Sequence, residues 1–502
     1  MQHEPDKQNE QKKVSLSLYI ASLMAVLIIG IGGTALAINV LDQSDSNDSQ
    51  LTELTEESET DTDTENGEDS QFSSFQPLEE MYTILMTRYL EEIDSETLIE
   101  GALEGMASSI DDPYTEFLDE AESSSIDEDI QGSFEGIGAE VMKEGEYVRI
   151  VSPIAGSPAE EAGLMPNDLI VEVDGESVAD LNINEAVALI RGPQGTEVDL
   201  LVLRGDTEFT VTITRDSIPV ESVRYELDED HPTIGYVHIT NFNIPTYEEI
   251  VDAIVELQDQ GAEQFVFDVR GNPGGLLNSA IEISNIFVED GQPLMQSQGR
   301  DEEPFVYYAD SEEYGDFKFT DPSVLLIDGG SASASEILAG AMSQSAGITL
   351  VGTPTFGKGT IQNIQELSRN GELKFTAGRW LTADGDWVNE EGIQPDIEVE
   401  MPEYQNFLLI NPEENYEEGD VSEAVENING ILDALGYDIG EVDNSFDAET
   451  RSAVEDFQEE NDLTSDGIVT GETARALIDA LRELLEENDT QYNRAVEYLL
   501  EN

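Results

Sequence analysis

Residues Ser323 to Gln362 read SVLLIDGGSASASEILAGAMSQSAGITLVGTPTFGKGTIQ. Val324 to Ile327 is a short aliphatic run, the pattern of a buried strand. Gly329 and Gly330 break it. Beyond a Ser-Ala-Ser-Ala-Ser run, Ile337, Leu338, Ala341 and Met342 recur at helical spacing, so serines occupy a tight strand-to-helix turn. A helix N-terminus carries unpaired N–H groups and a partial positive charge, which would stabilise an oxyanion formed there. Thr349 to Val351 reads as another strand. Phe356-Gly357-Lys358-Gly359 reads as a glycine-flanked turn, free to bend so that its lysine points back at the serines.

That lysine stands out against the composition. The chain has 502 residues and a net charge of −90, and only Lys143, Lys318, Lys358 and Lys374 follow the N-terminal segment. The competing reading of Lys358 is a solvated loop residue. So acidic a chain will not hold nucleic acid or anionic lipid through a basic patch. An acidic, lysine-poor surface suits salty or alkaline surroundings. There are no cysteines, which removes thiol proteases, thiolate metal sites and disulfides. The three histidines, His3, His231 and His238, have no triad setting, and no HExxH pattern occurs. The DTDTENG stretch places its glycine one position late for a calcium loop. We therefore expect neither metal nor cofactor.

At the serine and lysine turns the sequence resembles the C-terminal processing peptidases, also called tail-specific serine proteases. The residues that carry the likeness are SASASEI, Ser331 to Ile337, and FGKG-x-x-Q, Phe356 to Gly359 with Gln362. The resemblance implies a Ser/Lys dyad, with Ser333 as nucleophile, Lys358 as general base and Gln362 orienting the lysine. Some relatives place an aspartate eleven residues beyond the serine. Here that position is Gln344, so no third catalytic carboxylate is expected. FDVRGNPGGLL, Phe267 to Leu277, resembles the family's glycine turn. It implies an oxyanion hole from the backbone of Gly274 or Gly275, with Ala334 giving the second N–H.

Working outward toward the N-terminus, residues 1–13 form a polar tail expected in the cytoplasm. Residues 14–41 carry no charge, long enough for a membrane span of about 20 residues. The lysines precede the span and acids follow it, which puts the bulk of the chain outside a cell membrane. Ala35-Leu36-Ala37 offers a signal-peptidase site as the alternative to an uncleaved anchor. Residues 42–75 are an acidic linker with almost nothing to bury. Residues 76–128 form a helical segment, with helices predicted over Leu78 to Leu90 and Ile99 to Ile110. Its EGALEGMASSIDDPYTEFL, Glu100 to Leu118, matches the family's segment before a PDZ domain.

Residues 129–217 resemble a PDZ domain, β-rich with two helices, in which Gly136, Ile137 and Gly138 would receive a peptide carboxylate. Residues 218–415 form an α/β region, which the resemblance implies is the serine peptidase core. Ile234 to Ile239 and Phe265 to Val269 are its predicted strands, with a helix over Tyr247 to Leu257 between them. GIQPDIEVE, Gly392 to Glu400, resembles the family's closing strand. Residues 420–484 resemble a small helical peptidoglycan-binding domain, starting with a face of Val421, Val425, Ile428, Leu432 and Leu435. Residues 485–502 are expected as a helical tail. The fold class is thus multidomain α/β, with an N-terminal transmembrane helix.

The resemblance implies a membrane-anchored endopeptidase that takes substrates by accessible C-termini. Peptidoglycan is a second partner, and a homodimer is left open. A non-catalytic scaffold between membrane and wall, and an esterase or acyltransferase on the same dyad, are the rival readings. Free lysine titrates near 10.4, so a base working near neutrality needs a drop of about 3 units, about 4 kcal/mol. Burial supplies that, provided no carboxylate sits beside Lys358.

Overall fold

The computed structural model describes residues 75–368, 371–407, 410–440 and 442–502. The tail, the expected span and nearly all of the acidic linker lie outside the described residues. Among the described residues no helix is long and apolar enough to cross a membrane.

Two helices open the described chain, α1 (Gln76–Arg88) and α2 (Ser95–Ser108). α2 begins earlier than its apolar periodicity suggests, because the Asp94 carboxylate accepts the Thr97 N–H and caps it. The apolar stripe of α1 buries nothing, and α2 buries only Ala107. A short strand β1 (Glu116–Leu118) and a helix α3 (Glu120–Gln131) follow. α3 has almost no apolar periodicity. It is held at its start by a reciprocal Asp119/Glu122 capping box and stopped by Gly132 at φ 61°.

The next module enters through β2 (Ser133–Gly136) and leaves through β9 (Asp216–Pro219), which pair antiparallel as a two-stranded ribbon. Between them run β3 (Ala139–Glu144), β4 (Tyr147–Pro153), α4 (Pro158–Glu161), β5 (Leu169–Val173), β6 (Glu176–Ser177), α5 (Ile183–Ile190), β7 (Glu197–Arg204) and β8 (Thr207–Thr214). The antiparallel order is β3-β4-β5-β7-β8, with β6 on β5. Alternate residues Val198, Leu200 and Val202 of β7 point into a core shared with Val148, Ile150 and Ile170. This is the period-two pattern of a half-buried sheet.

The next region is a six-stranded sheet in the order β10-β11-β12-β15-β16-β19. Its strands are β10 (Val223–Leu227), β11 (Ile234–Ile239), β12 (Gln264–Asp268), β15 (Ser323–Ile327), β16 (Thr349–Gly352) and β19 (Ile397–Glu398). Only β10 runs antiparallel. Crossovers α6 (Thr246–Gln260), α7 (Leu277–Phe287) and α8 (Ala334–Gln344) cover one face, against Phe265, Phe267, Leu325 and Ile327. A second, antiparallel sheet joins β1 to β13 (Pro293–Gly299), β14 (Phe305–Tyr308), β17 (Thr360–Glu366) and β18 (Glu372–Leu381).

Beyond the sheet, α9 (Glu423–Ala434), α10 (Ala448–Glu460) and α11 (Gly471–Glu487) enclose a separate core of Val425, Ile428, Leu432, Phe457 and Leu477. Val421 is not on the α9 face: it precedes the helix, is exposed, and bridges to Ser445. The helical tail divides at Asn488, and α12 (Thr490–Glu501) returns to the mostly parallel sheet. Its Ala495, Val496 and Leu499 pack on Ile234, Val266, Val324, Leu326 and Val351. These are the alternate residues to those under the crossovers, so the parallel strands are buried on both faces. A structural layer of this sheet therefore comes from residues expected to be a tail.

Candidate active site

β15 ends at Ile327, and α8 starts at Ala334. The serine turn between them lies at the carboxyl edge of the parallel strands, where ligands bind in open α/β sheets. Ser333 holds φ 55° and ψ −109°, outside the ordinary range of a residue with a side chain. Such a backbone costs on the order of 1–3 kcal/mol and persists only where its surroundings hold it. Here they do. Ser331 Oγ donates to the Val269 carbonyl at 2.8 Å, and Ser335 Oγ to the Asn272 carbonyl at 2.9 Å. The Ala332 N–H also donates to Asn272, at 3.0 Å. The turn is thereby bonded to the loop after β12, the FDVRGNPGG stretch.

Glu336 joins this turn to the lysine loop. It is fully buried, three residues into the turn of helix that starts at Ser333. Its Oε2 accepts the N–H of Ser333 at 2.8 Å and of Lys358 at 2.9 Å. Its Oε1 accepts Thr355 Oγ1 at 2.6 Å and the Gly357 N–H at 2.8 Å. A buried carboxylate is tolerable only with its lone pairs filled, and four donors fill these. A direct bond from the Phe356 N–H to the Ser331 carbonyl, 3.0 Å, adds a second tie. Gly357 sits at φ 85°, and a Cβ there would meet the Glu390 and Gly392 nitrogens at 2.9 Å. The lysine loop is further held by Trp380 Nε1, which donates to the Lys358 carbonyl at 2.8 Å.

The Lys358 side chain is half-buried, not out in solvent. Its Nζ makes no hydrogen bond or ion pair among the described residues, so Lys358 and Ser333 Oγ are not bonded in this arrangement. The ammonium lies 4.6 Å from the centre of the Tyr114 ring. Burial lowers its pKa from the usual lysine value, and the nearby Lys374 charge lowers it further. Glu336 and Asp112 act in the opposite direction. Carboxylates do therefore stand near the amine, contrary to the proviso drawn from sequence, yet desolvation still prevails. Gln362 is not bonded to Lys358. Its Nε2 donates to Thr360 Oγ1 at 3.0 Å and reaches Thr376 Oγ1 at 3.4 Å. Gln344, at the end of α8, accepts the Asp384 N–H at 2.9 Å.

The three oxyanion candidates differ. The Gly274 N–H is already given to Asn272 Oδ1 at 2.9 Å. Gly274 serves instead by closeness: at φ 110°, a Cβ there would meet Ser333 Cβ at 2.9 Å and the Ala332 carbonyl at 2.8 Å. The N–H groups of Gly275 and Ala334 have no acceptor among the described residues. Arg270, in the same loop, is locked between Asp268 (2.6 Å) and Asp489 (2.7 Å), the residue that caps α12. Burial opposes its charge, but these two carboxylates outweigh that and raise its pKa.

In the β-rich module, Ile137 is buried and Gly138 has φ 74°. Gly136 ends β2, and the N–H groups of Ile137 and Gly138 have no acceptor among the described residues. Sequence reasoning missed Glu336, Asn272, Asp112 and Tyr114 as site residues. The Ser-x-x-Glu spacing from Ser333 to Glu336 was the available signal, since it is that of a capping box. Among the described residues no cluster of side chains could hold a metal ion.

A strained serine at the head of a helix, its turn tied through Glu336 to the loop of a half-buried lysine, defines a serine peptidase. Peptidase family S41 matches residues 233–399, a PDZ domain residues 149–204, the activating protease CtpB N-terminal domain residues 27–122, and a peptidoglycan binding domain residues 421–477. The chain belongs to the carboxy-terminal processing serine proteases of that family. It is 41% identical over 428 residues to the carboxy-terminal processing protease CtpA of Bacillus subtilis, covering 85% of this chain and 90% of that one. It is 36% identical over 430 residues to CtpB of the same organism, covering 85% and 89%. Among solved structures it is similar to a photosystem II D1 C-terminal processing protease. The identity is 29% and the TM-score 0.39, over 66% of this chain and 88% of that one.

Proposed function

We propose that this chain is a membrane-anchored endopeptidase that takes substrate C-termini in its PDZ domain and cleaves peptide bonds with a Ser333/Lys358 dyad. The neutral amine of Lys358 removes the Oγ proton as Ser333 attacks the scissile carbonyl. The N–H groups of Gly275 and Ala334 receive the tetrahedral oxyanion. The ammonium returns its proton to the departing amine, leaving an acyl-serine. Water then attacks the ester with Lys358 again taking a proton. The carboxylic acid product leaves and Ser333 regains its hydrogen.

The observation that carries this reading is the single Glu336 carboxylate that fixes the backbones of both Ser333 and Lys358. Because the side chains are not bonded, catalysis requires Nζ to swing from the Tyr114 ring to the serine hydroxyl. Peptide capture at Ile137 and Gly138 would promote that swing and bring Gln362 to the lysine. Residues 14–41 supply the membrane anchor in this reading, and residues 421–477 the contact with peptidoglycan. The homodimer remains part of it through the exposed Ile99, Met106 and Ile110.

The test is hydrolysis of unstructured peptides that differ only at the C-terminus. Ser333→Ala and Lys358→Ala should each lower kcat by about 10⁴-fold or more. Peptides with an amidated C-terminus should show a raised KM. Full activity in either alanine variant would end the dyad reading, and indifference to the terminus would end the PDZ role.

A further inference from the structure

The segment between α2 and β1, Asp111-Asp112-Pro113-Tyr114-Thr115, is fastened to the second sheet. The Asp112 carboxylate accepts the Tyr114 N–H at 3.2 Å and Thr115 Oγ1 at 2.6 Å. The Thr376 N–H donates to Thr115 Oγ1 at 3.2 Å. β1 then pairs with β18, Glu116 opposite Lys374, and these two side chains form an ion pair. β18 also pairs with β17, the strand into which the lysine loop runs. The loop and Lys358 are therefore referred to one strand, β18. The outcome is the Tyr114 ring face 4.6 Å from Lys358 Nζ. The phenol hydroxyl has no hydrogen-bond partner among the described residues, so the ring alone makes the contact.

We infer that Tyr114 is a positioning residue for the general base: its ring is the seat that holds the protonated Lys358 head at rest and from which that head, once neutral, swings to Ser333. This rests on the Ser/Lys reading above. An aromatic face attracts a cation through its quadrupole, more strongly where water is excluded. The other groups that face the amine are Lys374 on β18, Glu336 on α8 and Asp112 in the same loop. Their signs partly offset one another. The ring is the contact that favours the charged lysine without placing a competing carboxylate oxygen against it. A carboxylate in direct contact would hold the proton on the lysine; a ring holds the head in place with less bias.

The experiment is the pH profile of kcat and KM on an unstructured peptide for the full chain and four variants. Tyr114→Leu keeps an apolar cover but removes the quadrupole. It should lower the plateau kcat about tenfold, which converts to about 1.4 kcal/mol, leave KM unchanged, and move the acid limb to lower pH. Tyr114→Phe should behave as the parent. Tyr114→Trp, with the stronger ring, should move the acid limb to higher pH. Lys358→Ala is the control. Hydrolysis that survives Lys358→Ala overturns both the dyad and this inference. Hydrolysis lost in Lys358→Ala but unchanged in Tyr114→Leu overturns the inference alone. So does Tyr114→Phe behaving like Tyr114→Leu. If Tyr114→Leu fails to fold, the Trp and Phe profiles decide, and an unmoved acid limb in Tyr114→Trp counts against the ring.

Discussion

The serine turn and the lysine head meet at one site but are held by different forces. The serine turn is cross-linked by short hydrogen bonds to three carbonyl and carboxylate groups, from Val269, Asn272 and Glu336. Only that much bonding keeps a residue with a side chain at the backbone angles of Ser333. The lysine loop is equally fixed along its main chain, yet among the described residues its amine has no hydrogen bond and rests on a ring. A hydrogen bond weakens steeply with angle, whereas an attraction to a ring face does not. In the proposed mechanism the nucleophile is thus built in place and the base is free to move. Control of hydrolysis belongs on the lysine side.

The strongest way to break that contrast is to remove what braces the serine turn from behind. Deletion of residues 489–502 would take Asp489 from Arg270 and uncover Ile234, Val266, Val324, Leu326 and Val351. At about 1.5–3 kcal/mol per large aliphatic side chain, the loss rivals the whole stability of a typical domain. Thermal unfolding of the catalytic region should lose its cooperative transition, and a sharp transition at the parental temperature would contradict the packing described. Glu336→Gln is the next largest. An amide offers one acceptor oxygen where four donors converge, so stability should fall by about 2–4 kcal/mol and kcat by about 100-fold. The readouts are chemical denaturation and steady-state rates, with KM little changed.

Smaller changes sharpen the lysine side. Lys374→Gln removes a positive neighbour that lowers the Lys358 pKa. The amine would then become neutral only at higher pH, and the acid limb of kcat should move up by a few tenths of a unit. Asp112→Asn removes a carboxylate that raises the pKa, and the acid limb should move down. Opposite shifts of this kind would show that the field at Nζ sets the profile. Two shifts of the same sign would mean that loop distortion sets it.

The contrast also explains what was readable from the residues. The serine turn, the flanking strands and the glycines around Lys358 follow from hydrophobic period and turn chemistry, which are local properties. Ser333 and Ala334 lie on the strand-to-helix turn, and Lys358 in the glycine-flanked turn, that those properties mark. Glu336 was hidden because the chain has 111 acidic residues, and composition does not distinguish the few that are buried. Gly274 and Gly275 are adjacent in sequence, and only the hydrogen bond from Asn272 separates an engaged N–H from an unengaged one. Tyr114 lies more than two hundred residues before the lysine. Its role depends on a strand pairing between β1 and β18 that no local pattern announces. α12 escaped for a related reason: its apolar stripe reads as an amphipathic helix, and amphipathicity does not name the surface that receives it.

That helix sets an order of events during synthesis. Gln264 on β12 is bonded to the Leu499 carbonyl across 235 positions of chain. One side of the sheet stays bare until translation has passed the helical module of α9 to α11 and α12 can dock. A nascent chain that already displays its serine would be unfinished as an enzyme, and a cut between α11 and α12 would return a mature one to that state. The module between β19 and α12 is thus threaded through the enzyme's own folding unit, and cannot be trimmed from one end as a detachable appendage.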